Sequence, residues 1–125
     1  MTPPYNIQER TFEFSVRVVL AFRRLAARGE STRILARQLL RAATSVGANM
    51  EEADGGHTKP DFRAKVAIAR KESKEAVYWL RLIVATDEPL RPRVLPLLDE
   101  ANQIAAIISA IKRDADLSEN RGDPA

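Results

Sequence analysis

"FRAKVAIARKESKEAVYWLRLI", residues 62–83, decides the fold. Phe62, Val66, Ala69, Ser73, Ala76, Leu80 and Ile83 follow one another at alternating steps of four and three, which places them on one face of an α-helix. An unbroken seam of small and apolar residues is what near-parallel helix packing requires. Upstream, Thr58 followed by Asp61 marks a helix start, and Pro60 is tolerated in a first turn whose N–H groups have no intrahelical partner. The pattern carries this third helix to about Thr86, where Pro89 and Pro92 bound a short connection.

Working outward, the preceding segment carries Leu35, Leu39, Ala42, Val46, Asn49 or Met50, and Ala53 in the same rhythm. It is expected to start with Ser31 or Thr32 as N-cap and to end at Gly55-Gly56. A first helix from about Glu9 to Arg28 has Phe12, Val16, Val19, Phe22 and Ala26 as its expected core stripe, and Gly29 as its stop. Phe14, Val18 and Leu25 fall off that stripe, so the helix has more apolar surface than one seam consumes. The fourth segment holds Val94, Leu97, Leu98, Ala101, Ile104, Ala105, Ile108 and Ile111, with Pro96 placed most easily in its first turn. No segment alternates with period two over a useful length, so the expectation is all-α: an antiparallel up-down-up-down four-helix bundle. The bundle is expected over residues 9–113, after an N-terminal extension at 1–8. Residues 114–125 lack an apolar period and are expected to be a mobile tail.

At 125 residues the chain suffices for one core. It has no cysteine, which excludes a disulfide framework, a thiolate metal site and a thiol nucleophile. Arg17, Arg23 and Arg24 interrupt the most apolar early stretch, and no uninterrupted apolar run is long enough to predict a membrane span. "MTPPYNIQER" lacks a basic region followed by an apolar one, so no secretory signal is expected and a cytoplasmic location is. Net charge is +3, unevenly spread. Residues 1–50 hold eight arginines against three glutamates, whereas residues 51–125 hold 12 Lys and Arg against 14 Asp and Glu. A basic half is compatible with a polyanion-facing surface.

"QLLRAATSVGANMEEA" (38–53), "TKPDF" (58–62) and "IARKESKEAVYWL" (68–80) together resemble the four-helix-bundle proteins known as the 23S rRNA intervening-sequence protein family. The likeness extends to "TFEFSVRVV" (11–19) in the first helix. The resemblance implies a bundle assembled as a ring-like homopentamer with a central opening. It also implies a gene lying within a 23S rRNA intervening sequence or standing free, and no settled biochemical activity. A related accessory protein of diversity-generating retroelements binds nucleic acid and a reverse transcriptase. Many members carry Asn-Ile-Ala-Glu-Gly where this chain has Asn49-Met50-Glu51-Glu52-Ala53, so Asn49 and Glu52 align and the glycine does not.

The candidate residues divide by chemistry. Arginine grips phosphate through paired, charge-assisted hydrogen bonds, and Arg10, Arg17 and Arg24 recur every seven residues while Arg33, Arg37 and Arg41 recur every four. These six are the nucleic-acid-binding candidates; the alternative is a solvated face partly neutralised by Glu13 and Glu30. Asn49, Glu52, Glu72, Tyr78 and Trp79 are packing or interface candidates. A buried Asn in a seam fixes register or partner, and adjacent aromatics on a helix must point two ways, one inward and one outward. Glu51 and Glu52 diverge by about 100° and cannot converge on one substrate. Glu72 and Glu75 share a face, yet a di-iron bundle uses Glu-x-x-His on two helices, and the one histidine, His57, is in a loop. No catalytic residue, metal or cofactor is expected. The expected role is a non-enzymatic homo-oligomer that binds RNA or DNA, or a nucleic-acid-processing protein, through basic surfaces. The alternative is a protein-interaction scaffold without nucleic acid.

Overall fold

A computed structural model describes residues 6–55 and 58–121. These residues form four helices and no strand: α1 (Ile7–Ala26), α2 (Glu30–Ala53), α3 (Lys59–Thr86) and α4 (Arg91–Arg121), the last entered through a 3-10 turn at Glu88–Leu90. Each helix packs on the next and α4 returns to α1, where the contact is the smallest of the four. Contacts run in opposite sequence order on neighbouring helices. Ser15 of α1 donates to the Ala43 carbonyl of α2, and Thr11 lies beside Gly47. Arg41 of α2 meets Glu72 of α3, and Glu52 meets Lys65. Arg70 of α3 meets Ser109 of α4, and Arg63 meets Glu119.

The helix starts follow local chemistry. The Asn6 side chain accepts from the Glu9 N–H, and Thr58 Oγ1 accepts from the Asp61 N–H, each capping a first-turn donor. The first helix therefore begins at Ile7, whose side chain is buried, and takes in the end of the expected extension. Gly29 sits at φ +149°, a backbone region residues with a Cβ rarely enter, and it separates α1 from α2. α2 starts at Glu30, so neither Ser31 nor Thr32 caps it. The Thr32 hydroxyl is buried and donates to Asp87 instead.

The α3 seam is as the periodicity predicts: Val66, Ala69, Ser73, Ala76, Leu80 and Ile83 are buried, and the Ser73 hydroxyl is satisfied by the Arg70 carbonyl. Leu39, Ala42, Val46, Met50 and Ala53 of α2 and Val94, Leu97, Ala101, Ile104 and Ile108 of α4 complete the core. α1 inverts the expectation. Its buried residues are Ile7, Thr11, Phe14, Val18 and Leu25, whereas Phe12, Val16 and Val19 are 61, 39 and 52 % exposed. Phe22 and Ala26, at the end of the expected stripe, are half-buried, Phe22 against the core. Ser15, between the two stripes, donates to a backbone carbonyl of α2, so its hydroxyl is satisfied with Thr11, Phe14 and Val18 facing inward.

α4 departs in two ways. Pro96 lies in its second turn, so the Pro92 carbonyl loses its helical donor at an exposed position. The helix also continues past Arg113 to Arg121, supported by the Lys112–Asp116 pair and by Arg63–Glu119. By length and composition, Glu88–Asn120 is long and apolar enough to cross a membrane, although no uninterrupted apolar run marks it in the sequence. Only 28 % of its apolar window is buried in the bundle, and Leu95 is 45 % exposed. α4 thus carries a core seam and apolar surface beyond it.

Gly47 is the close-approach point of α1 and α2. A Cβ there would sit 3.1 Å from Ser15 Oγ and 3.4 Å from the Thr11 carbonyl oxygen. Gly47→Ala should change stability little, because the helix-propensity gain of about 1 kcal/mol is set against a small displacement of Ser15. Gly47→Val should cost about 1–3 kcal/mol, since its branched methyls meet backbone as well as the hydroxyl. Urea melts of the two variants measure the difference.

Candidate functional site

The six arginines of the expected basic rows separate into two groups. Arg10 is half-buried, and its Nη2 donates to Glu100 Oε1 at 2.6 Å and to Gln103 Oε1 at 3.1 Å. Its pKa is raised, first by the hydrogen bond to Glu100, against the cost of burial. Arg33 pairs with Glu30 one turn back on the same helix. Arg41 bridges α2 to α3, donating to Glu72 Oε2 and Glu75 Oε1, both at 2.6 Å. The Glu72 bond is the main reason its pKa is raised. By contrast Arg17, Arg24 and Arg37 are exposed and pair with no carboxylate among the described residues.

The packing and interface candidates have local partners. Asn49 Nδ2 donates to the Ser45 carbonyl and hydroxyl at 2.9 and 3.2 Å, so its amide is satisfied by its own helix rather than by α3. Glu52 is exposed, 3.5 Å from Lys65 Nζ. Glu72 is buried, with Arg41 on its carboxylate. Tyr78 points outward at 52 % exposure, while Trp79 is half-buried against the core, the two rings meeting edge to face at 5.1 Å. The Trp79 indole N–H is buried with no hydrogen-bond partner among the described residues. No three His, Asp or Glu side chains among the described residues gather as a metal site, and His57 lies outside those residues.

Three features were not singled out from the sequence. The first is a polar knot at the α3–α4 corner: Asp87, 8 % exposed, accepts from Arg28 Nε and Nη2 and from Thr32 Oγ1 at 3.1–3.3 Å. Donation from Arg28 is the largest influence on the Asp87 carboxyl and, with Thr32, holds its pKa below the ordinary value against desolvation. A carboxyl lowered on folding stabilises the fold above its unfolded pKa of about 4. That contribution is lost as pH falls through the lowered folded value. Thermal melts should show Asp87→Asn less stable than the parent at pH 7, with the gap closing below about pH 4.

The second feature is the outer face of α1, where Phe12, Val16, Val19 and Leu20 lie side by side, Leu20 at 76 % exposure. A shallow groove beside Phe12 reaches Thr44, Gly47 and Ala48 of α2. The third is an open groove of about 510 Å³ between α1 and α4, the neighbouring pair in least contact, flanked by Arg17, Arg23, Arg24 and Arg93. Arg28, Arg23 and Arg93 were visible as basic residues, but nothing in their spacing shows which acids or apolar side chains the bundle brings to them.

A four-helix all-α chain with neutralised and unneutralised arginines is a helical-bundle protein without a recognisable catalytic constellation among the described residues. The sequence pattern of the 23S rRNA-intervening sequence protein family matches residues 5–110, and the chain belongs to that family. It is also similar to a crystal structure of a protein with unknown function from the S23 ribosomal protein family of Bacteroides thetaiotaomicron VPI-5482. The two chains share 30 % identity at a TM-score of 0.75, covering 85 % of this chain and 97 % of that one. No curated protein matches the chain.

Proposed function

We propose that this chain is a non-enzymatic, homo-oligomeric protein that binds nucleic acid, RNA in the first instance, or a protein that processes it, through basic surfaces. The observation that carries this reading is the set of arginines left without carboxylates, Arg17, Arg24 and Arg37, in a molecule that neutralises Arg10, Arg33 and Arg41 internally. Membership of a family named for 23S rRNA intervening sequences supports RNA over other polyanions. The reversed order of helix contacts supports an antiparallel up-down-up-down bundle. The exposed apolar face of α1 supports self-association, with the ring-like pentamer resting on the family resemblance. A cytoplasmic setting follows from an RNA partner.

Neutralisation of half the candidate arginines favours a second reading, a protein-interaction scaffold. Charge reversal separates the two. Arg17→Glu with Arg37→Glu should weaken RNA binding about tenfold or more, whereas the charge-matched Lys112→Glu with Arg113→Glu should weaken it several-fold less. Equal loss from both pairs would leave a non-specific attraction to net charge and refute a phosphate-contacting surface on α1 and α2. Binding is read by fluorescence anisotropy of a labelled single-stranded RNA, with helix content and native mass checked for each variant.

A further inference from the structure

The outer face of α3 is basic, with an aromatic ring set in it. Lys71, Lys74, Tyr78 and Arg81 follow one another at steps of three, four and three, so they share one side of the helix, opposite the buried seam of Ala69, Ser73, Ala76 and Leu80. All four are exposed, and none of the three cations pairs with a carboxylate among the described residues. The acids of the same stretch turn elsewhere, since Glu72 and Glu75 both bind Arg41 of α2. Tyr78 keeps 52 % of its surface in water and meets Trp79 edge to face, with ring centroids 5.1 Å and planes 71° apart. It borders a shallow groove of about 350 Å³ shared with Arg81, Leu82, Val84, Ala85 and Leu98. The bundle leaves this ring and its flanking cations unused, and together they define a complement: a flat apolar plane joined to anions on both sides.

We propose that this face of α3 binds single-stranded nucleic acid, with an unpaired base stacked on Tyr78 and the adjoining phosphates on Lys74 and Arg81. The inference rests on the nucleic-acid reading above and narrows it to strands that offer unpaired bases. Lys74 and Arg81 stand about one helical turn to either side of the ring, so a strand whose base lies on Tyr78 passes a cation in each direction. Stacking on a side chain is open only to a base that has left its pairs, because in a duplex the base faces are covered by their neighbours. Arginines on α1 and α2 neutralise phosphate in strand and duplex alike. Tyr78 adds the discrimination between them. An acidic protein segment would satisfy the cations but offers the ring no plane to stack on.

The test uses the full chain and labelled oligouridylate, with two controls: the same strand paired with oligoadenylate, and an oligoglutamate peptide of equal charge. Tyr78→Ala should weaken oligouridylate binding about fivefold or more, the worth of one stacked base, and leave duplex binding within about twofold. Tyr78→Phe keeps the ring and should keep the parental affinity. Lys74→Glu with Arg81→Glu should weaken binding of strand and duplex about tenfold or more. Oligoglutamate should bind the parental protein several-fold more weakly than oligouridylate. The single tryptophan is a built-in reporter, because Trp79 touches the Tyr78 ring. Its emission should respond to oligouridylate in the parental protein and in Tyr78→Phe, and lose that response in Tyr78→Ala. An unchanged oligouridylate affinity in Tyr78→Ala, an equal loss for strand and duplex, or a loss in Tyr78→Phe as large as in Tyr78→Ala would each overturn the proposal. So would oligoglutamate binding as tight as oligouridylate, which marks a site for acidic protein, or a fall in native mass in Tyr78→Ala, which marks a contact between copies of this chain. With parental RNA binding intact, any of these results removes the Tyr78 site alone and leaves the arginines of α1 and α2 their role. No RNA binding by the parental protein sinks the nucleic-acid reading, and this site with it.

Discussion

Phe14→Ala should remove about 3–5 kcal/mol from the folding free energy, a large share of the roughly 5–15 kcal/mol that holds a domain together. Phe14 is 2 % exposed within the core, so truncation leaves a cavity that the surrounding helices fill only in part. Two residues away, Phe12 is 61 % exposed on the opposite side of the same helix. Phe12→Ala should change the folding free energy of the dissociated chain by no more than about 0.5 kcal/mol. Urea denaturation followed by circular dichroism compares the two. Similar losses would mean that the inward face of α1 is not the one described.

The second large effect is on assembly. Phe12, Val16 and Val19 form an apolar face that the single chain leaves in water, and α4 adds Leu95. Contiguous exposure of this kind is characteristic of surfaces that meet another molecule. Light scattering of the parental protein at micromolar concentration should therefore give a mass several times the 13.9 kDa of the chain, five copies by the family resemblance. Phe12→Glu with Val19→Glu should reduce it to a single chain while leaving the helical signal intact, because neither side chain contributes to the core. A parental mass near 13.9 kDa would remove the oligomer from the account.

The fold was legible where the sequence leaves only one choice. The α3 seam runs unbroken in its four-three rhythm: Val66, Ala69, Ser73, Ala76, Leu80 and Ile83 are buried and Phe62 at its start is half-buried against the core. α1 carries two, Phe12-Val16-Val19 and Phe14-Val18-Leu25, and periodicity cannot rank them. The contacts that separate them, such as Ser15 to the Ala43 carbonyl, exist only after α2 is in place. Thr32 shows the same limit. A threonine before an apolar run reads as a cap, but a carboxylate 55 residues away claims its hydroxyl. The arginine rows were legible as rows and not as a site. Spacing places Arg10 in line with Arg17 and Arg24, yet Glu100, 90 positions further on, takes Arg10 out of the exposed set. Pairing with carboxylates, long-range for Arg10 and Arg41 and within one turn for Arg33, decides which arginines are available to a partner.

The central claim is that these remaining arginines contact phosphate. It is tested most directly by titrating the parental protein with a labelled single-stranded RNA across a series of salt concentrations. Each phosphate neutralised on a single strand contributes about −0.7 to the slope of log affinity against log salt, so three arginines contacting phosphate predict a slope of about −2 or steeper. Measurable binding at low ionic strength with such a slope is the expected result; no retardation of RNA or DNA at low ionic strength, or binding indifferent to salt, would contradict it.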